Sequence, residues 1–349
     1  VSIAGATYPA RYAIWALMLM LMQTGCSQGS GQSDLWKQYK AHFLNEGSSI
    51  VDVANDSIRH SEGQGMGMLL AEANADRKSF DAIWQWTQQH LQVRDKDHLL
   101  AWRWQPSMPH VTDFNNASDG DILVAWALLR AAERWNEKKY DAAARLLLHD
   151  IRQHLVKYQH GRMLLLPGVE GFMKDEGAII NLSYWVYPAL EKFKQVEPDE
   201  AAWPGLISSG LKLSGEALFG AWKLPSDWII AGETLYPALQ FPKRFGLDAV
   251  RIPLYLAWAG YMDHPAVLRS AHFWQQFTGA SAWPEWASLD DTNVHMADKV
   301  QGIQAVAALI DDQDGDWSDK KPVMSWETPE YYQATLLLIS QLASMEKGQ

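Results

Sequence analysis

The chain has 349 residues, of which 48% are hydrophobic and 20% charged, and it carries a formal net charge of −11. That length suits one large domain or two ordinary ones, and the apolar share excludes a chain too polar to bury a core. The acidic surplus disfavours nucleic acid and anionic membrane surfaces as partners, since both reward a basic face.

In chain order, the first feature is an export signal. Arg11 precedes an apolar run over 12–22, which is short for a membrane span and of the right length for a signal core. Gly25 and Cys26 follow, then a polar stretch over 27–34. Cys26 is the sole cysteine, so no intrachain disulfide can form. Its place after Gly25 resembles a lipoprotein processing site, with Gln23 where that motif prefers an apolar residue. Lipid attachment at Cys26 and ordinary cleavage nearby both stay open, and 1–30 is set aside from the fold. The implied location is periplasmic or secreted, with Cys26 the one candidate membrane anchor.

From Asp34 onward apolar residues recur at helical spacing. Helices are predicted over 35–44, 66–75, 80–91, 121–135, 140–158, 184–195, 200–220, 249–262, 265–278, 299–311 and 331–345. Gly, Pro, Asn and Asp punctuate the breaks. Only 163–167 and a few short stretches read as strands, and the acidic run 311–319 reads as a solvated loop. No Ser- or Gly-rich linker divides the chain. The expectation is one domain over 31–349, all-α, built from antiparallel helix pairs; a closed ring of six helical hairpins is one architecture that fits.

Three constellations carry candidate chemistry. The first is Ser61-Glu62-Gly63-Gln64-Gly65-Met66-Gly67-Met68. A phosphate loop is rejected, because no strand precedes it and no Lys-Ser/Thr pair follows. Glu62 reads either as a helix-start acid favoured by the macrodipole or as a carboxylate beside glycines that let backbone approach a ligand. The second, Asn115-Asn116-Ala117-Ser118-Asp119-Gly120-Asp121, opens the helix over 121–135; Ser118 or Asp119 as an N-cap explains one polar residue but not the cluster. In the third, Asp248 and Arg251 are three apart on one helix face and can pair, as a surface ion pair or as a base oriented by a guanidinium. Zinc, calcium and serine-nucleophile motifs fail on spacing. The 18 tryptophans divide between core packing and stacking on sugar rings, whose apolar faces suit indole.

Taken together, these motifs resemble glycoside hydrolase family eight. Residues 117–135, with Ala125, Ala127, Leu128, Leu129, Ala131 and Trp135 in place, are similar to the family signature; Val124 stands where Ile or Met is usual. Ser61-Glu62-Gly63-Gln64 with Gly67-Met68 resembles its general-acid motif, and Asp248-Ala249-Val250-Arg251 its general-base motif. Asn181-Leu182-Ser183-Tyr184 and Tyr331-Tyr332 are further family-like patches. Within the family, Trp102-Arg103-Trp104, Asp227-Trp228 and the exported N-terminus are most similar to the periplasmic endoglucanases encoded with bacterial cellulose synthase.

The resemblance implies an (α/α)6 toroid and hydrolysis of internal β-1,4-glucan bonds with inversion, with no metal or cofactor. It also implies an association with cellulose synthesis or export. An inverting enzyme needs two carboxyl groups about 6.5–9.5 Å apart, with water between base and sugar. Glu62 is the implied acid, with a pKa expected above the usual range, and Asp248 the implied base, oriented by Arg251. Asp119 would bind hydroxyls of the sugar at the cleavage point. Trp102, Trp104, Tyr184 and Trp185 are candidate stacking platforms. Met66 and Leu247 replace tyrosines common in the family, removing hydroxyls near the acid and the base. Alternatives are chitosanase or xylanase specificity, or a non-catalytic polysaccharide-binding component.

Overall fold

A computed structural model describes residues 29–46, 48–311 and 322–347. The signal reading, with Cys26, lies outside the described residues, as does all of the acidic run after Asp311. Every predicted helix has an observed counterpart: α1 Gly29–Phe43, α2 Ser61–Ala73, α3 Arg77–His90, α4 Ser118–Trp135, α5 Lys138–Asp150, α6 Tyr187–Val196, α7 Ala202–Glu216, α8 Arg251–Trp258, α9 Pro265–Gln275, α10 Gln301–Asp311 and α11 Tyr331–Glu346. Among the described residues no helix is long and apolar enough to cross a membrane.

The helices fall into two kinds, as their sequences dictate. In α4, every residue from Ser118 to Leu129 is buried; a helix apolar on all sides must lie inside. By contrast, α3 buries Phe80, Ile83, Trp84 and Thr87 and α5 buries Tyr140, Ala144, Leu147 and Leu148. Those are single stripes at three- and four-residue spacing, the mark of helices with one face in water. Packing runs from α2 to α4, α4 to α6, α6 to α8 and α8 to α11, and α11 returns against α2. One core cluster extends from Trp36 to Ala343. Seven tryptophans are buried in it among the described residues (Trp36, Trp84, Trp126, Trp185, Trp203, Trp258, Trp274), so much of the tryptophan surplus is packing.

The expectation of an all-α (α/α)6 toroid does not stand. About 49% of the described residues are helical, and they also form six small antiparallel sheets. The largest has four strands, in the order Leu235–Pro237, Ile229–Ala231, Gly177–Ile180, Met173–Lys174. Ile229 pairs with Ile180 and Ala231 with Ala178. A three-stranded sheet joins Arg244–Phe245, Trp283–Ser288 and Val294–Ala297. Most of these strands are two or three residues long, too short for a two-residue period to register in a sequence. The helix predicted over 140–158 also overruns. It ends in a π-turn at Ile151–Leu155, and Val156–Gln159 pairs with Arg162–Leu165 across His160-Gly161, both at positive φ (50° and 73°). Two such residues make the tight turn whose twist suits a hairpin.

The glycines of α2 have a packing role. A Cβ on Gly65 would stand 2.6 Å from Leu123 Cβ on α4, one on Gly67 would strike Ile50, and one on Gly63 would meet the Tyr331 hydroxyl at 2.6 Å. Gly63 and Gly65 bring α2 against α11 and α4, and Gly67 brings it against the strand Ser49–Ile50; this packing stands in place of the expected approach to ligand. Gly120 does the same from the other side: Ser61 and the Glu62 amide occupy the space its side chain would need. That contact seats the start of α4 against the start of α2.

Candidate active site

Four helix starts converge on one cluster. Glu62 is the second residue of α2, Asp119 the second of α4, Arg251 the first of α8, and Tyr331 and Tyr332 the first of α11. Asp248 lies in the turn leading into α8. Helix N-termini favour negative charge, which suits a site rich in carboxylates.

The start of α2 is anchored by backbone pairing. His60 lies opposite Arg103, Arg59 opposite Trp104, and the Ser61 amide donates to the Trp102 carbonyl at 3.0 Å. His60 is the N-cap residue, its Nδ1 accepting from the Gly63 amide at 3.0 Å. That bond places the ring proton on Nε2. Burial first, then the Arg251 charge, holds His60 down to a pKa of about 4, so it is a neutral cap at physiological pH. At α4 the expected Ser118 or Asp119 cap is not found: Ala117 is the N-cap residue and no side chain caps. Instead Asp119 Oδ1 accepts from its neighbour's amide, Gly120, at 2.8 Å. Asp121 is a structural acid, accepting from the Leu100 amide at 2.8 Å and the Asn116 amide group at 2.7 Å.

Arg251 draws the acids together. Its Nη2 donates to Asp248 Oδ1 at 2.7 Å, and its Nη1 to Asp119 Oδ2 at 3.4 Å. The same Nη1 also meets Glu62 Oε1. The guanidinium is 3% exposed, so the expected pair is buried and is no surface bridge. An unpaired cation at such depth would cost several kcal/mol; here three carboxylates face one cation. Burial foremost, with the Asp248 and Asp121 charges adding to it, raises Asp119 well above the usual carboxylate range. Asp248 is also raised, by burial and then by the Asp227 carboxylate.

The four-stranded sheet supplies the supports of Asp248. Trp228, just before Ile229–Ala231, donates its indole N–H to Asp248 Oδ2 at 3.1 Å. Its ring is stacked between Phe172 and Phe241. Asn181, at the end of Gly177–Ile180, faces the same carboxylate and favours its charged form. Tyr332 donates its hydroxyl to the carbonyl of Leu247, the residue before Asp248.

Of the predicted residues, Glu62, Asp119, Asp248 and Arg251 are thus brought together. Tyr184 borders them, its ring centroid 6.0 Å from the Arg251 guanidinium and edge-on to Trp228. Trp102 meets the start of α2 through its carbonyl, which accepts from the Ser61 amide, while its indole N–H donates to Asp113 at 2.9 Å. Trp104 is in the strand Arg103–Trp104, stacked on His110 with Arg59 over its ring. Trp185 is a correction. It is fully buried, its indole N–H donates to the Leu206 carbonyl at 3.1 Å, and Gly210 makes room for its ring; it packs the core and offers no stacking face. Met66 is also a core residue. Sequence reasoning missed His60, which is an uncommon capping residue, and it met Asp227, Trp228, Asn181 and Tyr332 only as parts of a resemblance. Among the described residues no group of three His, Cys, Asp or Glu side chains is arranged to hold a metal ion.

Comparison with known proteins adds the following. The sequence model of Glycosyl hydrolases family 8 matches residues 8–346. An endoglucanase of Cellulomonas uda is 39% identical over 278 residues, covering 78% of this chain and 76% of the relative. A probable endoglucanase of Novacetimonas hansenii is 35% identical over 317 residues, covering 89% and 90%. Among solved structures, an endo-β-1,4-glucanase of the same family from an Achatina fulica gut metagenomic library superposes with a TM-score of 0.82 at 35% identity, covering 89% of this chain and 97% of that one.

Proposed function

The chain belongs to glycosyl hydrolases family 8, and from that premise we propose that it is an endo-1,4-β-glucanase that cleaves internal bonds of a β-1,4-glucan with inversion. The observation that carries the assignment of roles is the meeting of Glu62, Asp119 and Asp248 on the single guanidinium of Arg251. Two separate carboxyl groups, one to give a proton and one to take it, are what glycoside hydrolysis requires.

In this reading Glu62 protonates the glycosidic oxygen as the bond from the anomeric carbon breaks. A water attacks that carbon from the opposite face, and Asp248 accepts its proton. Arg251 and Trp228 aim the Asp248 carboxylate. Asp119 binds hydroxyls of the sugar at the cleavage point, and Tyr184 lies against that sugar. Trp102 flanks the bound glucan. Residues 31–349 form the catalytic domain, and 1–30 direct the chain out of the cytoplasm, to the periplasm or the medium. An association with cellulose synthesis or its export machinery is consistent with that route.

Substrate choice is tested by reducing-end release from carboxymethylcellulose, chitosan and xylan under one set of conditions. Release from the cellulose derivative is expected to exceed that from the other two by about tenfold or more, since a site built to bond particular hydroxyls rejects analogues that lack or replace them. Preferred release from chitosan or xylan would move the specificity. Binding of glucan without cleavage would leave a binding protein.

A further inference from the structure

Asp227 is a buried carboxylate without a role in the chemistry above, and its surroundings are unusually specific. Its Oδ1 accepts from two backbone amides, Gly246 and Ala249, each at 2.9 Å. Its Oδ2 accepts from Arg244 Nε at 3.0 Å, and its own amide donates to the Arg244 carbonyl at 2.9 Å. The two amides flank Asp248 on either side. Gly246 is required for this arrangement, because a Cβ there would stand 2.7 Å from Asp227 Oδ2. The next residue, Trp228, donates to Asp248 itself. Residues 227 and 228 therefore grip the turn twice, once by its backbone and once by the carboxylate it presents.

We propose that Asp227 is a positioning residue for the general base: it fastens the turn over 246–249 so that the Asp248 carboxylate stands where water is to be deprotonated. This rests on the reading of Asp248 as the base. The physical warrant is that a turn entering a helix has free amides, and a carboxylate accepting two of them fixes the backbone by charge-assisted bonds. A displacement of about 1 Å at a reacting group can lower turnover on the order of a hundredfold.

Asp227 also acts through its charge. The groups facing Asp248 are Asp227 and Arg244 from the sheet side, Arg251 from α8, Asp119 from α4, Glu62 from α2 by way of Arg251, and the hydroxyls of Tyr184 and Tyr332. Asp227 opposes ionisation of Asp248. Neutralising it favours the charged base, so the acidic limb of the activity profile, where the base loses its charge, moves to lower pH.

The test is a pair of variants of the full chain, assayed on soluble β-glucan across pH. Asp227→Asn keeps an oxygen for the two amides and loses the charge. It is expected to hold kcat within about threefold at the optimum and to move the acidic limb down by about one pH unit. Asp227→Ala loses both, and kcat is expected to fall about ten- to a hundredfold with KM little changed. An unmoved acidic limb in Asp227→Asn overturns the proposal even if the alanine variant fails to fold, and so does wild-type kcat in a folded alanine variant. Asp248→Asn in the same assay keeps the two readings apart: if it still turns over, the base assignment fails. If it is inactive while the Asp227→Asn limb stays in place, only the present proposal fails.

Discussion

Glu62→Gln is expected to leave the protein folded and to lower hydrolysis of β-glucan on the order of 10³- to 10⁴-fold. Glutamine matches glutamate in size and still accepts hydrogen bonds, but it cannot deliver a proton at neutral pH. A sugar alkoxide is a poor leaving group, so the barrier rises by nearly the whole contribution of acid catalysis. The fold should tolerate the change, because Arg251 keeps its bonds to Asp119 and Asp248. The helix-start benefit of a negative charge is worth only about 0.3–1 kcal/mol. The diagnostic is leaving-group dependence: a cellobioside of an acidic phenol needs little protonation and should lose far less rate than the glucan. Equal losses on both substrates would remove Glu62 from the role of acid.

Asp248→Asn is expected to reduce turnover about 10³-fold or more, and here an activated leaving group should not help. Departure of the aglycone does not relieve the need to deprotonate the attacking water. Asparagine has one oxygen and can accept from Arg251 or from Trp228 but not from both. The turn before α8 should still keep its place, because Asp227 holds the amides of Gly246 and Ala249 and Tyr332 holds the Leu247 carbonyl, and KM should change little. Circular dichroism and thermal unfolding close to wild type would confirm that the loss is chemical. The contrast matters more than either number: leaving-group rescue for residue 62 and none for residue 248 separates acid from base.

The helices were readable because each is long and periodic. The predicted 331–345 became Tyr331–Glu346, and the predicted 121–135 lies within Ser118–Trp135. The strands were not, since a stretch such as Ile229–Ala231 is three buried residues without alternation. That omission matters for function, because the sheet holding those strands positions Trp228 and Asn181 against Asp248. The cluster of Glu62, Asp119, Asp248 and Arg251 was visible as motifs in order, while the spatial supports were not. Asp227 reaches amides 19 and 22 residues away, and no local pattern encodes such a contact. Neighbouring aromatics show the same limit. Tyr184 faces the carboxylates and Trp185 the core, on either side of the end of a single 3-10 turn, which sequence spacing cannot resolve.

The account turns on Glu62 and Asp248 acting on opposite faces of one sugar. Proton NMR of the first products released from a soluble cello-oligosaccharide, recorded before mutarotation, reads that directly. The α-anomer at the new reducing end is the result this pair predicts, and a β-anomer would contradict it.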